Sequence, residues 1–255
     1  MCGDGIRKPA TAGAVTEEIA ALGPFFAVDT HPPGAEPSGS SGSSGAWQPM
    51  SRLLLEARVS GVRDWLAAAG GQPPGAVEPR VAASVAHLGL AARLISPALA
   101  AAVLHGLVLA PRLADLRWQP VLGGPVPLSL PHDAFDGSPA DPAPDRLADR
   151  LSRCLLDGPL RELADALAPF SVSPHILWGN TASAVNGAAT MIAAARPDLT
   201  TRTRTITSLL LDRPPLRDAN TTAPDGSFLR RSCCLIYRAA PGGKGALCGD
   251  CVLSR

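Results

Sequence analysis

The stretch VAASVAHLGLAARLISPALAAAVLHGLVLA, residues 81–110, is the most apolar run of the chain, and its reading decides the fold class. Alanine and leucine dominate it, and both favour helix over strand. Its length would suffice to cross a bilayer, but His87, Arg93, Pro97 and His105 interrupt it. Ionisable groups and a proline at such spacing argue for a protein core instead of a membrane span. Ser96-Pro97 has the form of a helix cap followed by proline at a first helical position, so the run reads as two buried helices meeting there.

Composition agrees with an α-rich protein. The 255 residues are 46% hydrophobic and 4% aromatic, enough for a substantial core in one large domain or a domain with a small appendage. The formal net charge of +1 leaves no global field for nucleic acid or an anionic membrane surface. Residues 1–14 lack a basic-plus-apolar leader, so a reducing cytoplasmic setting is expected.

Working outward, Thr16 followed by Glu17-Glu18 reads as the N-cap and acidic first turn of a short helix that Gly23-Pro24 ends. Residues 31–45, HPPGAEPSGSSGSSG, cannot bury enough surface to order themselves and read as a mobile loop. Leu53, Leu54, Ala57, Val59, Val62, Trp65 and Leu66 recur at helical spacing before Gly70-Gly71 and Pro73-Pro74. Residues 116–121 and 126–130 read as two short strands around Gly123-Gly124, demoted to edge positions by their prolines. Apolar stripes through Leu147, Leu151, Cys154 and Leu155, then Leu160, Leu163 and Leu167, predict two amphipathic helices. Pro174 opens a small-residue helix through Ala195, and Pro197-Asp198 starts a last long helix to Leu211. The expected architecture is mainly α with a small β-hairpin (α+β). It comprises a helical body at 1–211, a proline-rich linker at 212–227 and a short cysteine-rich segment at 228–255.

That segment holds four of the six cysteines, as Cys233-Cys234 and Cys248-Gly249-Asp250-Cys251. Two residues between cysteines let both sulfurs reach one metal, and Gly249 suits the tight turn. Adjacent cysteines diverge in extended chain, so both serve as ligands only where the backbone bends or the centre is larger than one ion. A two-iron cluster takes four thiolates, a structural zinc also takes four, and disulfides or free thiols are the remaining readings. Within residues 228–255 Arg230, Arg231, Arg238, Lys244 and Arg255 face Asp250 alone, an asymmetry that suits an anionic centre and equally a solvated basic tail. Cys2 and Cys154 have no partner in the motif. No Rossmann or P-loop glycine pattern is present, so electrons would come from a separate donor protein.

The run Arg230-Arg231-Ser232-Cys233-Cys234-Leu235-Ile236-Tyr237-Arg238 with Cys248-Gly249-Asp250-Cys251 resembles the C-terminal motif of the FhuF-like ferric-siderophore reductases. Leu22-Gly23-Pro24-Phe25-Phe26, Trp47-Gln48-Pro49, Val81-Ala82-Ala83-Ser84, Arg93-Leu94-Ile95-Ser96-Pro97 and Leu177-Trp178-Gly179-Asn180-Thr181-Ala182-Ser183 resemble further landmarks of that family, in its order. The resemblance implies a [2Fe–2S] cluster on Cys233, Cys234, Cys248 and Cys251. It also implies an oxidoreductase that reduces siderophore-bound Fe(III) to Fe(II) by one electron, releasing iron in the cytoplasm, with contact to the inner membrane limited to its periphery. Trp178 as an apolar wall, Asn180 hydrogen-bonding siderophore oxygens or the cluster loop, and Arg230 and Arg231 facing an anionic siderophore are the substrate candidates. The structural alternatives are Trp178 as core filler and Asn180 as a helix cap, and His87 and His105 read as satisfied core residues. Two departures stand out: residues 235–247 form a longer gap than the family motif, expected to bulge at Pro241-Gly242-Gly243-Lys244-Gly245, and a Gly/Ser insertion precedes Trp47. A cluster protein that transfers electrons or senses iron without siderophore turnover, and a zinc-stabilised interaction module, are the competing functions.

Overall fold

A computed structural model describes residues 12–34, 46–50, 52–223 and 225–254. It is 56% helical and 8% strand, as the composition leads one to expect. The N-terminal residues 1–11, with Cys2, and most of the Gly/Ser tract, at 35–45, lie outside the described residues.

Among the described residues seven α-helices form the body: α1 Ala12–Ala20, α2 Arg52–Ala69, α3 Pro79–His105, α4 Pro144–Leu151, α5 Pro159–Ala166, α6 Pro174–Ala195 and α7 Thr200–Leu211. The decisive apolar run is one helix and not two, because α3 continues through Pro97. Proline there removes one backbone hydrogen bond and crowds the carbonyl of Arg93, a cost of about 3 kcal/mol. Burial offsets it, since the stretch from Leu94 to Val103 is buried without a break. The helix instead starts with Pro79 in its first turn and ends at Gly106, whose left-handed φ of 67° closes the last turn. By length and composition α3 could cross a membrane, yet 78% of its most apolar window is buried inside the protein, which is the signature of a core helix.

Helix α6 lies along α3. Gly179, Ala182, Ala188 and Ala189 on its buried faces keep the neighbouring backbones close. Helices α4 and α5 bury the stripes that the sequence shows, with Leu147, Leu151, Leu160 and Leu163 fully covered. Between them the chain makes a π-turn over Ser152–Leu156 before Gly158 and Pro159 restart the helix. Thr16 is not an N-cap: α1 begins earlier, and Thr16 donates its hydroxyl back to the Gly13 carbonyl from mid-helix.

The expected hairpin exists as β3 Arg117–Trp118 antiparallel to β4 Leu128–Pro131, with Trp118 opposite Leu128. Two strands too short to show periodicity extend it. These are β1 Asp29–His31, parallel to β4, and β2 Gln48–Pro49, antiparallel to β3. His31 therefore belongs to a strand and not to the Gly/Ser loop, and its ring lies 2.7 Å from the Ser129 hydroxyl. The region read as a linker also carries structure, since β5 Asn220–Thr222 pairs antiparallel with β6 Phe228–Arg230. That hairpin delivers the cysteines to the body.

Arg93 ties the two layers together. It is 2% exposed and donates from Nε to Val126 O at 2.6 Å, from Nη1 to Pro24 O and Phe25 O, and from Nη2 to Ala27 O at 2.5 Å. Burial lowers its pKa to about 10, which leaves it charged at neutral pH.

Candidate metal centre

The segment from β6 onward is a chain of short turns, because a stretch rich in glycine, proline and cysteine cannot sustain regular structure. It is held by its contacts with the body. The Arg230 and Arg231 amides donate to Asp250 O and Ala219 O, and the Ser232 hydroxyl donates to His175 O at 3.1 Å. Ser84 on α3 donates to Cys234 O at 2.8 Å, Gln72 donates to Ala239 O at 2.9 Å, and Arg238 pairs with Glu78 at 2.5 Å. The Ser183 hydroxyl on α6 donates to the Asp250 carboxylate. Gly179 permits this docking, since a Cβ there would collide with the Ser232 hydroxyl.

The bend that adjacent cysteines require falls at Leu235, whose φ of 69° is left-handed. A β-substituted residue adopts that conformation at a cost of roughly 1–2 kcal/mol. In it the Leu235 amide lies 3.3 Å from Cys233 Sγ and donates to it. Across the site the Leu253 amide donates to Cys251 Sγ at 3.4 Å, and the Cys251 amide to Cys248 O at 3.2 Å closes the C-x₂-C turn. The long gap is folded back: the Gly245 amide donates to Tyr237 O at 2.8 Å, while Pro241, Gly242 and Lys244 stand exposed, as a bulge would.

The sulfurs meet in cross pairs. Cys234 Sγ and Cys248 Sγ are 3.5 Å apart, and Cys233 contacts Cys251. Two thiolates on one tetrahedral ion, each bonded at about 2.3 Å, sit roughly 3.8 Å apart, so the Cys234–Cys248 pair has the spacing of two ligands on one metal. The described cysteines form no disulfide. Nor do three or more Cys, His, Asp or Glu side chains among the described residues converge on a single metal position. Two pairs suit two irons better than one zinc. Each pair joins one sulfur of the adjacent cysteines to one of the C-x₂-C turn.

Electrostatics point the same way. Burial and the neighbouring Cys234 push the Cys248 thiol well above its ordinary pKa, and burial, with Cys251 and Cys234 nearby, raises Cys233. Thiolates this close are costly without a cation, and a bound metal removes the protons instead. A second feature fits an anionic centre: beneath the segment Arg230 is fully buried, with Nε and Nη1 lacking any hydrogen-bond partner.

The expected substrate contacts divide. Arg231 is exposed and reaches Asn220 O from Nε at 2.6 Å. Trp178 is half-buried against the core, with the Arg161 guanidinium 5.6 Å from its ring centroid. Asn180 and Arg230 have no exposed surface, so neither can touch a bulky ligand in this conformation. Asn180 is no helix cap either: from within α6 it accepts from Arg230 Nη2 at 2.5 Å and donates to Ser84 O at 2.9 Å. Ser84, Ser183 and Ser232 hold the site together. Their only signal in the sequence was membership of the quoted landmarks.

His87 and Cys154 belong to neither sulfur pair. Cys154 packs against the core, and burial raises its pKa. His87 is fully buried as expected but not satisfied, because neither ring nitrogen has a hydrogen-bond partner. Burial first, and the Arg230 charge second, lower its pKa to about 3. An unfolded chain with a histidine pKa near 6.5 binds a proton that the folded chain refuses, so stability is full above about pH 6.5 and falls towards pH 3. Urea unfolding followed by the helical signal at pH 7 and pH 5 is expected to show a smaller loss for His87→Leu than for the wild type, by up to about 1.4 kcal/mol per pH unit.

No curated protein matches the chain. Residues 230–253 match the family model of the FhuF 2Fe-2S C-terminal domain, a span that takes in all four paired cysteines. The segment is therefore similar to the FhuF 2Fe-2S C-terminal domain, and its clustered cysteines hold a [2Fe–2S] cluster.

Proposed function

We propose that the protein is a ferric-siderophore reductase, passing one electron to siderophore-bound Fe(III) and so releasing iron as Fe(II). The observation that carries this reading is the cysteine segment that matches the FhuF 2Fe-2S C-terminal domain, seated on a helical body whose sequence resembles further landmarks of that family. When bound, a [2Fe–2S] centre supplies electrons one at a time, and ferric reduction consumes one. Ferrous iron binds hard oxygen ligands less tightly, so reduction acts as a release step.

The chain's own residues supply the rest. Cys233 and Cys248 are partly exposed while Cys234 and Cys251 are buried, so one edge of the site faces outward and one is sealed. Beside the segment, α6, α7 and the β5–β6 hairpin enclose a groove of ≈ 460 Å³, within the size range of small-molecule sites. Asn186, Thr190, Arg204, Ser208 and Asn220 line it with groups suited to an oxygen-rich chelate. It begins close to the sulfurs, since Asn186 lies one turn beyond Ser183, the partner of Asp250. Arg231 stands at its rim through Asn220.

Stopped-flow mixing of the reduced protein with ferric siderophores of differing charge tests the proposal. Oxidation of the centre is expected to accelerate and saturate with at least one of them. Rates that never saturate and show no preference would favour the electron-transfer or iron-sensing alternative.

A further inference from the structure

Arg230 carries a charge that no described residue neutralises. Its side chain is 0% exposed, and its Nη2 reaches only the neutral acceptors Asn180 Oδ1 and Ile176 O. No carboxylate among the described residues forms an ion pair with it. Asp250, the segment's single acid, spends its carboxylate on Ser183. His87 beside it is neutral. A buried guanidinium without a counter-charge is strongly unfavourable, so this arrangement calls for a nearby anion.

The site supplies one. Four thiolates, two sulfides and two ferric ions sum to a net charge of −2, which becomes −3 on reduction. Arg230 connects to that charge from below. Its guanidinium bonds Asn180, whose amide donates to Ser84, whose hydroxyl donates to the carbonyl of the ligand Cys234. Its own amide donates to Asp250 O, next to the ligand Cys251. The other cations of the segment differ in kind. Among the described residues Arg231 and Lys244 are exposed to screening solvent, and Arg238 pairs with Glu78, which also pairs with Arg80.

We infer that Arg230 is the fixed counter-charge of the cysteine-bound centre and raises its midpoint potential, because a buried cation attracts the −3 state more than the −2 state. It is a positioning residue, acting through Asn180 and Ser84 without touching substrate. The inference rests on the cluster and not on the siderophore reading.

The test is a redox titration of the loaded protein, followed by its visible spectrum. At a fixed applied potential Arg230→Met is expected to lower the reduced-to-oxidised ratio about tenfold or more, a fall of ~59 mV for one electron. Arg230→Lys, which keeps the charge, is expected to stay within about threefold of the wild type. An unchanged potential in Arg230→Met, or an equal fall in Arg230→Lys, would overturn the inference. Should Arg230→Met fail to hold iron, Asn180→Asp decides, since a carboxylate there neutralises Arg230 in place. A fall in its potential supports the counter-charge, and a wild-type potential refutes it.

Discussion

Alanine at any one of Cys233, Cys234, Cys248 or Cys251 is expected to reduce bound iron and visible absorption to background, while Cys154→Ala keeps both. The sulfurs act in pairs, Cys234 with Cys248 and Cys233 with Cys251, so each substitution leaves one metal position with a single protein ligand. Neither pair has a nearby substitute. Cys154 packs on the helix layer with the core, and no other Cys, His, Asp or Glu among the described residues completes a cluster of three. The helical body should survive, because the core residues of α3 and α6 do not depend on metal. Circular dichroism and iron analysis on the same samples separate loss of the centre from loss of the fold. Retention of full iron by any of the four variants would remove that cysteine from the ligand set.

Arg93→Met is expected to destabilise the protein by roughly 3–5 kcal/mol in urea unfolding. Four backbone carbonyls, of Pro24, Phe25, Ala27 and Val126, accept from this one buried guanidinium, and its removal strands them beneath α3. Lysine should recover only part of the loss, since a point charge cannot reach acceptors spread around a planar fork. A change below about 1 kcal/mol would mean that solvent replaces the guanidinium. The segment at Pro24 and Phe25 would then be less closely held than its geometry indicates.

Much of this was legible in the chain, and the exceptions have physical causes. The stripes at Leu147, Leu151, Leu160 and Leu163 reported their own helices because each buries one face, and periodicity records that directly. Pro97 misled in the opposite direction: a local breaker was overridden by burial along α3, which the local sequence does not display. Strands β1 and β2 span three residues and two, too few for alternation to register. β5 lies in a proline-rich stretch that reads as a spacer until β6 pairs with it.

The site shows the same division. The cysteine count and the C-x₂-C turn pointed to the candidate ligands, yet which sulfur meets which depends on the left-handed bend at Leu235. Asn180 and Arg230 looked like substrate groups because polar residues in a quoted landmark invite that reading. Their burial, visible only in three dimensions, turns them inward to brace the site. Among the segment's basic residues that the structure describes, the sequence could not single out Arg230 as the one without screening or a counter-ion.

The most direct measurement is iron, acid-labile sulfide and zinc content of the purified, anaerobically handled protein, taken with its visible spectrum. The structure and the family match lead to two irons and two sulfides per chain, with absorption that bleaches on one-electron reduction. One zinc per chain, no sulfide and a colourless protein would contradict the account.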